Sequence, residues 1–394
     1  MKILLVNTVA QGGSIPSYMR DIADKAAELG HTVAVAKGRR GDMTGVMNIS
    51  IGSRFDTVIH GIATRLFDRH GLSGHRATLA FIREIEAFAP DIIHLHNIHG
   101  YYLHYPALFS WLATCGIPVL WSLHDSWAYT GHCASPAKKD ICLKWQTHCE
   151  YCPLLSNYPV SFIDRSSQNF DDKQRSFTSV PTLRLLPVSD WLSDQLSKSF
   201  LNHIPRTTVR LDIDTNLFQP SAEPMPNRVL GVANIWTDLK GLDFFRHLRQ
   251  ELPSDIEIRL VGTIRGELPQ GIHATGPIAS RTALIEEYSR ATVLVNPTRA
   301  DTLPLTNREA LSCGTPVISR DIGGTFEGIA TDNPAMKGAR TDDGLLRLIK
   351  DFLNTTSPGE LRNRCRETAL ALYGSSPGLK KLFGIYADVT DADS

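Results

Sequence analysis

Short, nearly continuous apolar runs alternate along this chain with longer segments whose apolar positions recur every third or fourth residue. The first kind reads as strands buried on both faces, the second as amphipathic helices. Residues 3–6, 31–36, 92–95, 119–123 and 184–188 form the first strand set. Between them, Tyr18, Ile22, Ala26 and Leu29 mark a helix over 17–29, and Leu79, Ile82, Ile85 and Phe88 mark one over 75–89 that Pro90 stops. Ser189 caps a further helix carrying Trp191, Leu192, Leu196 and Phe200. Residues 213–228 are rich in turn formers and read as the entrance to a second domain. There the alternation resumes, with strands at 228–234, 256–261, 291–296 and 316–319 and helical segments at 342–352, 360–373 and 379–389. Strand–helix alternation on both sides of one linker predicts an α/β chain of two parallel-sheet domains with a crevice between them.

Composition narrows this picture. A length of 394 residues suits two domains, each able to bury its own core. With 42% hydrophobic and 21% charged residues the chain falls among ordinary globular proteins. Forty-one basic residues balance 41 acidic ones, which gives no reason to expect a nucleic-acid partner. No apolar run approaches the roughly 20 residues needed to cross a membrane. MKILLVNTVAQGG breaks at Gly12 and Gly13 too early for a signal peptide. Seven cysteines do not fit a complete secreted disulfide framework, so the expected location is cytoplasmic.

Candidate chemistry gathers where strands end. Gly12 and Gly13 follow the first strand and open a helix, where backbone amides can approach a diphosphate or simply form a tight turn. Lys37, Arg39 and Arg40 follow the second strand and would meet either an anion or solvent. His94, His96, Asn97, His99 and His104 crowd the end of the strand at 92–95, and alternation points His94 and His96 to the same side. Hydroxyl recognition, ordinary structural histidines and a metal site all fit them. His124 and Asp125 lie just past the strand at 119–123, placed to shuttle a proton or orient a hydroxyl, but adjacent residues do not form a hydrolase-style relay. Lys240 precedes a helix and can neutralise a phosphate oxygen. Asp301 sits in a polar loop after the strand at 291–296, Glu309 lies eight positions on in a helix, and Gly323 and Gly324 form a second glycine pair after a strand. Two acids around a helix start can hold a sugar or merely be solvated.

Cys133, Cys142, Cys149 and Cys152 cluster in an insertion over residues 131–155. Four thiolates can saturate a structural zinc ion and crosslink a segment with little core of its own. Disulfides and unligated thiols are the other readings. Cys115, Cys313 and Cys365 sit in apolar helical surroundings and read as core.

Taken in order, ILLVNTVAQGG, DIIHLHNIHGYY, VLWSLHDSWAYTGHC, VSDWLSDQL, GVANIWTDLKGL and DTLPLTNREALSCGTPVIS resemble the retaining glycosyltransferases of family 4, on the branch that builds colanic acid, O-antigen and other surface polysaccharides. The resemblance spans residues 1 to 390. It implies a GT-B architecture: an acceptor-side Rossmann-like domain over 1–205, a nucleotide-sugar-binding one over 206–375, and a C-terminal helix over 376–394 crossing back to the first. It also implies a UDP- or GDP-sugar donor, a lipid-linked oligosaccharide acceptor, peripheral contact with the cytoplasmic face of the inner membrane, and no metal or other cofactor for catalysis. Oligomeric state is left open. Matched to the family's motifs, Glu309 would bind the ribose hydroxyls and Asp301 the donor sugar. Gly323 and Gly324 would be amide donors near that sugar, Lys240 and the Gly12–Gly13 loop would meet the diphosphate, and His124 would lie beside the reacting centre. The chain departs from the family in having Asp301 where glutamate is usual, Asn234 where many relatives carry an arginine, and Leu239 in place of a basic neighbour. A non-catalytic sugar-binding protein and a GT-B epimerase are the alternatives on the same fold.

Overall fold

The structure is a computed structural model that describes residues 1–39, 41–135, 142–329, 332–357 and 359–391. Arg40 and residues 136–141 of the cysteine-rich insertion therefore lie outside the described residues. The chain forms two compact units, Met1–Leu211 with Gly378–Ser394, and Asp212–Pro377.

The first unit is built on strands β1 (Lys2–Asn7), β2 (Thr32–Lys37), β3 (Met47–Ser50), β4 (Ile92–Leu95), β5 (Val119–Leu123) and β6 (Leu183–Pro187). Its helices are α1 (Ser14–Glu28), α2 (Arg54–Phe67), α3 (His75–Phe88), α4 (Tyr105–Leu112), α5 (Ser166–Phe177) and α6 (Asp190–Ser197). The strands pair in the order β3-β2-β1-β4-β5-β6, all parallel. Ile3 of β1 lies opposite Val33 on one side and Ile92 on the other, and Ile3, Leu4, Leu5 and Val6 are all fully buried. A parallel strand covered on both faces has no solvent side, hence the uninterrupted apolar run.

The second unit repeats this plan with β7 (Arg228–Ile235), β8 (Glu257–Thr263), β9 (Ile272–Gly276), β10 (Val293–Asn296), β11 (Val317–Arg320) and β12 (Met336–Ala339). Helices α7 (Leu242–Glu251), α8 (Arg281–Arg290), α9 (Leu305–Ser312), α10 (Asp342–Thr355) and α11 (Arg362–Tyr373) connect and cover them. Strand order is β12-β11-β10-β7-β8-β9. Successive residues point to opposite faces: Leu230, Leu294 and Val317 enter one apolar cluster, and Val229, Val293, Val295 and Ile318 the other. The last helix, α12 (Pro377–Asp391), returns to the first unit, where it buries Leu382 and Tyr386. There the Tyr386 hydroxyl lies 2.7 Å from His94 Nδ1 of β4. Two Rossmann-like parallel-sheet units with a returning C-terminal helix make this the expected GT-B fold.

Several elements depart from the sequence pattern. Helix α1 begins at Ser14 rather than near residue 17, because Gly13 takes the N-cap position. Helix α5 begins only at Ser166, after an irregular stretch from the cysteine-rich insertion. Strands β3 and β12 and helix α2 were not legible at all.

Candidate functional site

In a doubly wound sheet, ligands bind outside the carboxyl ends of the strands where strand order reverses. That point falls between β7 and β10 in the second unit and between β1 and β4 in the first.

In the second unit the loop after β7 tightens into a single 3₁₀ turn, Asp238–Lys240, capped by Thr237, whose hydroxyl accepts from the Lys240 amide at 3.3 Å. The loop after β10 is tied to it: the Arg299 guanidinium makes a bidentate bond to Asp243 at 2.7 and 2.8 Å, and the Arg299 amide donates to the Leu239 carbonyl. Between these anchors Lys240 Nζ lies 2.8 Å from Asp301 Oδ2. Asp301 Oδ1 accepts from the Leu303 amide at 3.1 Å, and its backbone carbonyl accepts from the Gly324 amide at 3.1 Å. Three loops, after β7, β10 and β11, thus converge on one aspartate. Gly323 has φ +60°, and a Cβ there would sit 2.1 Å from the Asp301 carbonyl oxygen. Any side chain at 323 displaces Asp301. The glycine pair therefore holds the aspartate in place, and the Gly324 amide is engaged in doing so.

Glu309 projects from α9 and accepts the Tyr288 hydroxyl of α8 at 2.6 Å. Burial raises its carboxyl above the ordinary glutamate value, against the lowering pull of the Tyr288 hydrogen bond and of Arg281. The start of α9 is fixed by amides: Asn296 Nδ2 donates to Asn307 Oδ1 at 2.8 Å, and Asn307 Nδ2 reaches Ser319 Oγ at 3.3 Å. Asn234 is exposed at the carboxyl end of β7.

In the first unit Gly12 and Gly13 are exposed, with φ of +78° and +88°, and a Cβ added at either would meet nothing within 4 Å. Backbone conformation rather than crowding requires glycine there, and the space above the turn is open. His124, past β5, lies with Nε2 3.1 Å from His96 Nδ1, and the two rings stack at 5.4 Å. His94 and His96 do share a side, their rings 4.3 Å apart, and His94 Nε2 bonds Ser122 at 2.8 Å. Asp125 accepts from His99 Nε2 at 2.8 Å. His104 caps α4, its Nδ1 accepting from the Ala107 amide.

Burial lowers His124 from 6.5 to about 4 and His94 to about 3, while His96 falls well below 6.5. All three are neutral at physiological pH, so His124 offers a neutral imidazole and not an acid. Because their folded-state values lie below the unfolded ones, the unfolded chain takes up protons first as pH falls. Stability is whole above about 6.5 and is lost progressively below it, through about 4 for His124 and towards about 3 for His94. Each such histidine costs up to roughly 1.4 kcal/mol per pH unit in that window. Urea unfolding at two pH values on either side of 5.5 (about 7.5 and 5) should show the midpoint falling. An unchanged midpoint contradicts neutral burial.

Among the described residues, no group of three or more His, Cys, Asp or Glu side chains is arranged to hold a metal ion. The structural zinc expected from the cysteine spacing is thus unsupported. Cys133, Cys142, Cys149 and Cys152 do line one cavity of about 20 Å³, together with Trp145 and Leu154, and all four are free thiols. Burial pushes Cys149 up to about 11 and Cys152 to about 12, with Cys133 higher still. Cys313 and Cys365 are buried, as expected of core, and Cys115 is only half-buried.

The expected donor residues Lys240, Asp301, Gly323 and Gly324 therefore meet at the second unit's switch point, with Glu309 on the following helix. Tyr288, the Arg299–Asp243 tie and the His96–His124 pair went unread as site elements.

Profiles of two families match the chain: Glycosyltransferase Family 4 over residues 15–151 and Glycosyl transferases group 1 over residues 226–353. The chain is a relative of the family 4 glycosyltransferases on the GT-B fold. Escherichia coli (strain K12) WcaC, named for colanic acid biosynthesis glycosyl transfer, is 26% identical over 245 residues, 58% of this chain and 60% of that protein. The match thus spans less than two thirds of that relative. Among solved structures, sucrose-phosphate synthase from Thermosynechococcus elongatus superposes with TM-score 0.71 at 15% identity, covering 99% of both chains. Anabaena Alr3699/HepE in complex with UDP and glucose gives 0.67 at 14% identity, over 98% of this chain and 100% of that one. At these identities the likeness is one of GT-B fold.

Proposed function

We propose that the chain is a retaining glycosyltransferase that moves a sugar from a nucleoside-diphosphate sugar, UDP- or GDP-linked, to a hydroxyl of a lipid-linked oligosaccharide in surface polysaccharide synthesis. The Lys240–Asp301 pair at the second unit's switch point carries this reading, because it sets a cation beside a carboxylate where α/β sheets take their ligands. Glu309 would accept the ribose hydroxyls. Lys240 would meet the diphosphate as negative charge builds on the leaving group, stabilising the transition state more than the bound donor. The acceptor oxygen bonds the anomeric carbon on the face the diphosphate leaves, and its proton passes to the departing phosphate oxygen. The UDP and glucose held by HepE support the donor class, and WcaC's name supports the pathway class. On this reading the enzyme works in the cytoplasm, at the membrane that presents its acceptor, with no metal in the reaction.

A donor-binding protein without turnover is the second reading, favoured by Asn234, an exposed amide where the resemblance leads one to expect arginine. A panel of nucleotide-sugars incubated with a synthetic lipid-diphosphate oligosaccharide, read by mass spectrometry with anomeric configuration by NMR, tests both. A product one sugar heavier with retained configuration is expected. Donor binding with no product from any pair supports the second reading.

A further inference from the structure

Helix α2 is built inside out. Its two buried residues are polar: His60, whose Nε2 accepts from the Gly71 amide at 2.8 Å, and Thr64, which donates to the His60 carbonyl. Its apolar residues face solvent, with Phe55 72%, Val58 57%, Ile59 45%, Ile62 53%, Leu66 41% and Phe67 52% exposed. Their spacing of three and four residues makes one continuous stripe. The helix itself is firmly formed. Ser53 and Asp56 close a reciprocal capping box at its start, and the Ser53 hydrogen bonds hold the Asp56 carboxyl below its usual value. At its far end Phe162 and Ile163, 66% and 51% exposed, extend the stripe, and the Phe162 amide donates to the Arg65 carbonyl at 2.9 Å. Scattered exposed apolar residues need no explanation, but a contiguous patch of this size marks an interaction surface.

Charge indicates what covers it. Arg54, Arg65 and Arg69 are exposed around the stripe, and the Arg65 guanidinium lies over the Phe162 ring at 4.7 Å. The helix's own acids are withdrawn: Asp56 into the cap, and Asp68 into a fully buried bond with His132 at 2.6 Å. Asp164, exposed beside Ile163, is occupied by the Cys152 and Ser166 amides. An apolar stripe flanked by guanidiniums matches the boundary between acyl chains and anionic headgroups, where arginine stems lie along the apolar layer and their heads reach phosphate. A second copy of the same face would bring the arginines against one another. We infer that α2, with Phe162 and Ile163, is a docking surface for a bilayer carrying anionic phospholipid, on which the protein lies without spanning. No helix among the described residues is long and apolar enough to cross a membrane. The surface deepens the transferase reading by giving its membrane location a place on the chain, and vesicle binding is read without transfer, so either can fail while the other stands.

Flotation of the full chain tests it, using vesicles of phosphatidylcholine alone and vesicles with about one third phosphatidylglycerol at low salt. Anionic vesicles are expected to carry at least about tenfold more protein than neutral ones. The double variant Phe55→Ser, Ile62→Ser should lose about tenfold or more of that binding, and an unchanged melting temperature would show its fold intact. Arg54→Ala with Arg65→Ala should remove the preference for anionic vesicles. Protein that stays in solution at every composition, or a Phe55→Ser, Ile62→Ser protein that still floats as wild type does, overturns the inference. So does a wild-type dimer by light scattering that the same double variant breaks while neither protein binds vesicles.

Discussion

Lys240→Ala is expected to cut transfer by about 100-fold or more in kcat while leaving the fold nearly as stable as before. Rate and stability separate here because the lysine is held for its charge rather than for packing. Its Nζ sits 2.8 Å from Asp301, yet the two side chains are 38% and 18% exposed, and such a pair adds no more than roughly 1 kcal/mol to folding. That corresponds to a melting shift of at most about 4 °C for a unit of this size. A departing nucleoside diphosphate, in contrast, gathers negative charge in the transition state, and removing one aligned cation there costs on the order of 3 kcal/mol. Steady-state rates at saturating donor, set beside thermal melts, check the claim. Comparable losses of activity and melting temperature would mean that Lys240 holds its loop and not the diphosphate.

That expectation rests on a residue whose role the sequence could only suggest. Continuous apolar runs exposed β1, β4 and β5, because parallel strands covered on both faces cannot alternate. Strand ends then pointed to where Lys240, Asp301 and Glu309 would stand. The sequence did not reveal what links them. That the Gly324 amide is taken up by the Asp301 carbonyl, and that Arg299 clasps Asp243, are contacts across 23 and 56 positions that only the closed sheet creates. The His96–His124 pair likewise depends on the β4–β5 register, which sets Leu95 opposite Trp121.

Edges and inversions were the harder part. Strand β3 supplies one buried residue, Ile49, and β12 one, Met336, too few to form a run. Helix α2 has a helical period, but its apolar face looks outward, so a pattern matched to inward-facing apolar stripes passes over it. The cysteines show the opposite case. Their spacing brings four thiols to one cavity, but spacing alone does not arrange them as metal ligands.

At Glu309 the informative change is to glutamine. Glu309→Ala would strand the hydroxyl of Tyr288, a fully buried residue, at about 1–3 kcal/mol, and lost stability would then obscure lost chemistry. Glutamine keeps an oxygen for Tyr288 and removes only the charge. Since burial already raises this carboxyl, ionisation opposes folding above the ordinary glutamate range, and Glu309→Gln should melt no lower than wild type at neutral pH. Two ribose hydroxyls donating to a carboxylate form charge-assisted bonds about twice as strong as those to an amide, so the donor KM should rise by roughly 10- to 100-fold. The wild-type enzyme should also lose donor affinity as pH falls through the raised carboxyl value, an acid limb that the glutamine variant lacks. Initial rates across donor concentrations between about pH 5 and 8 read both effects. A Glu309→Gln enzyme with wild-type KM and an intact acid limb would remove Glu309 from the donor site and leave it as the hydrogen-bond partner of Tyr288.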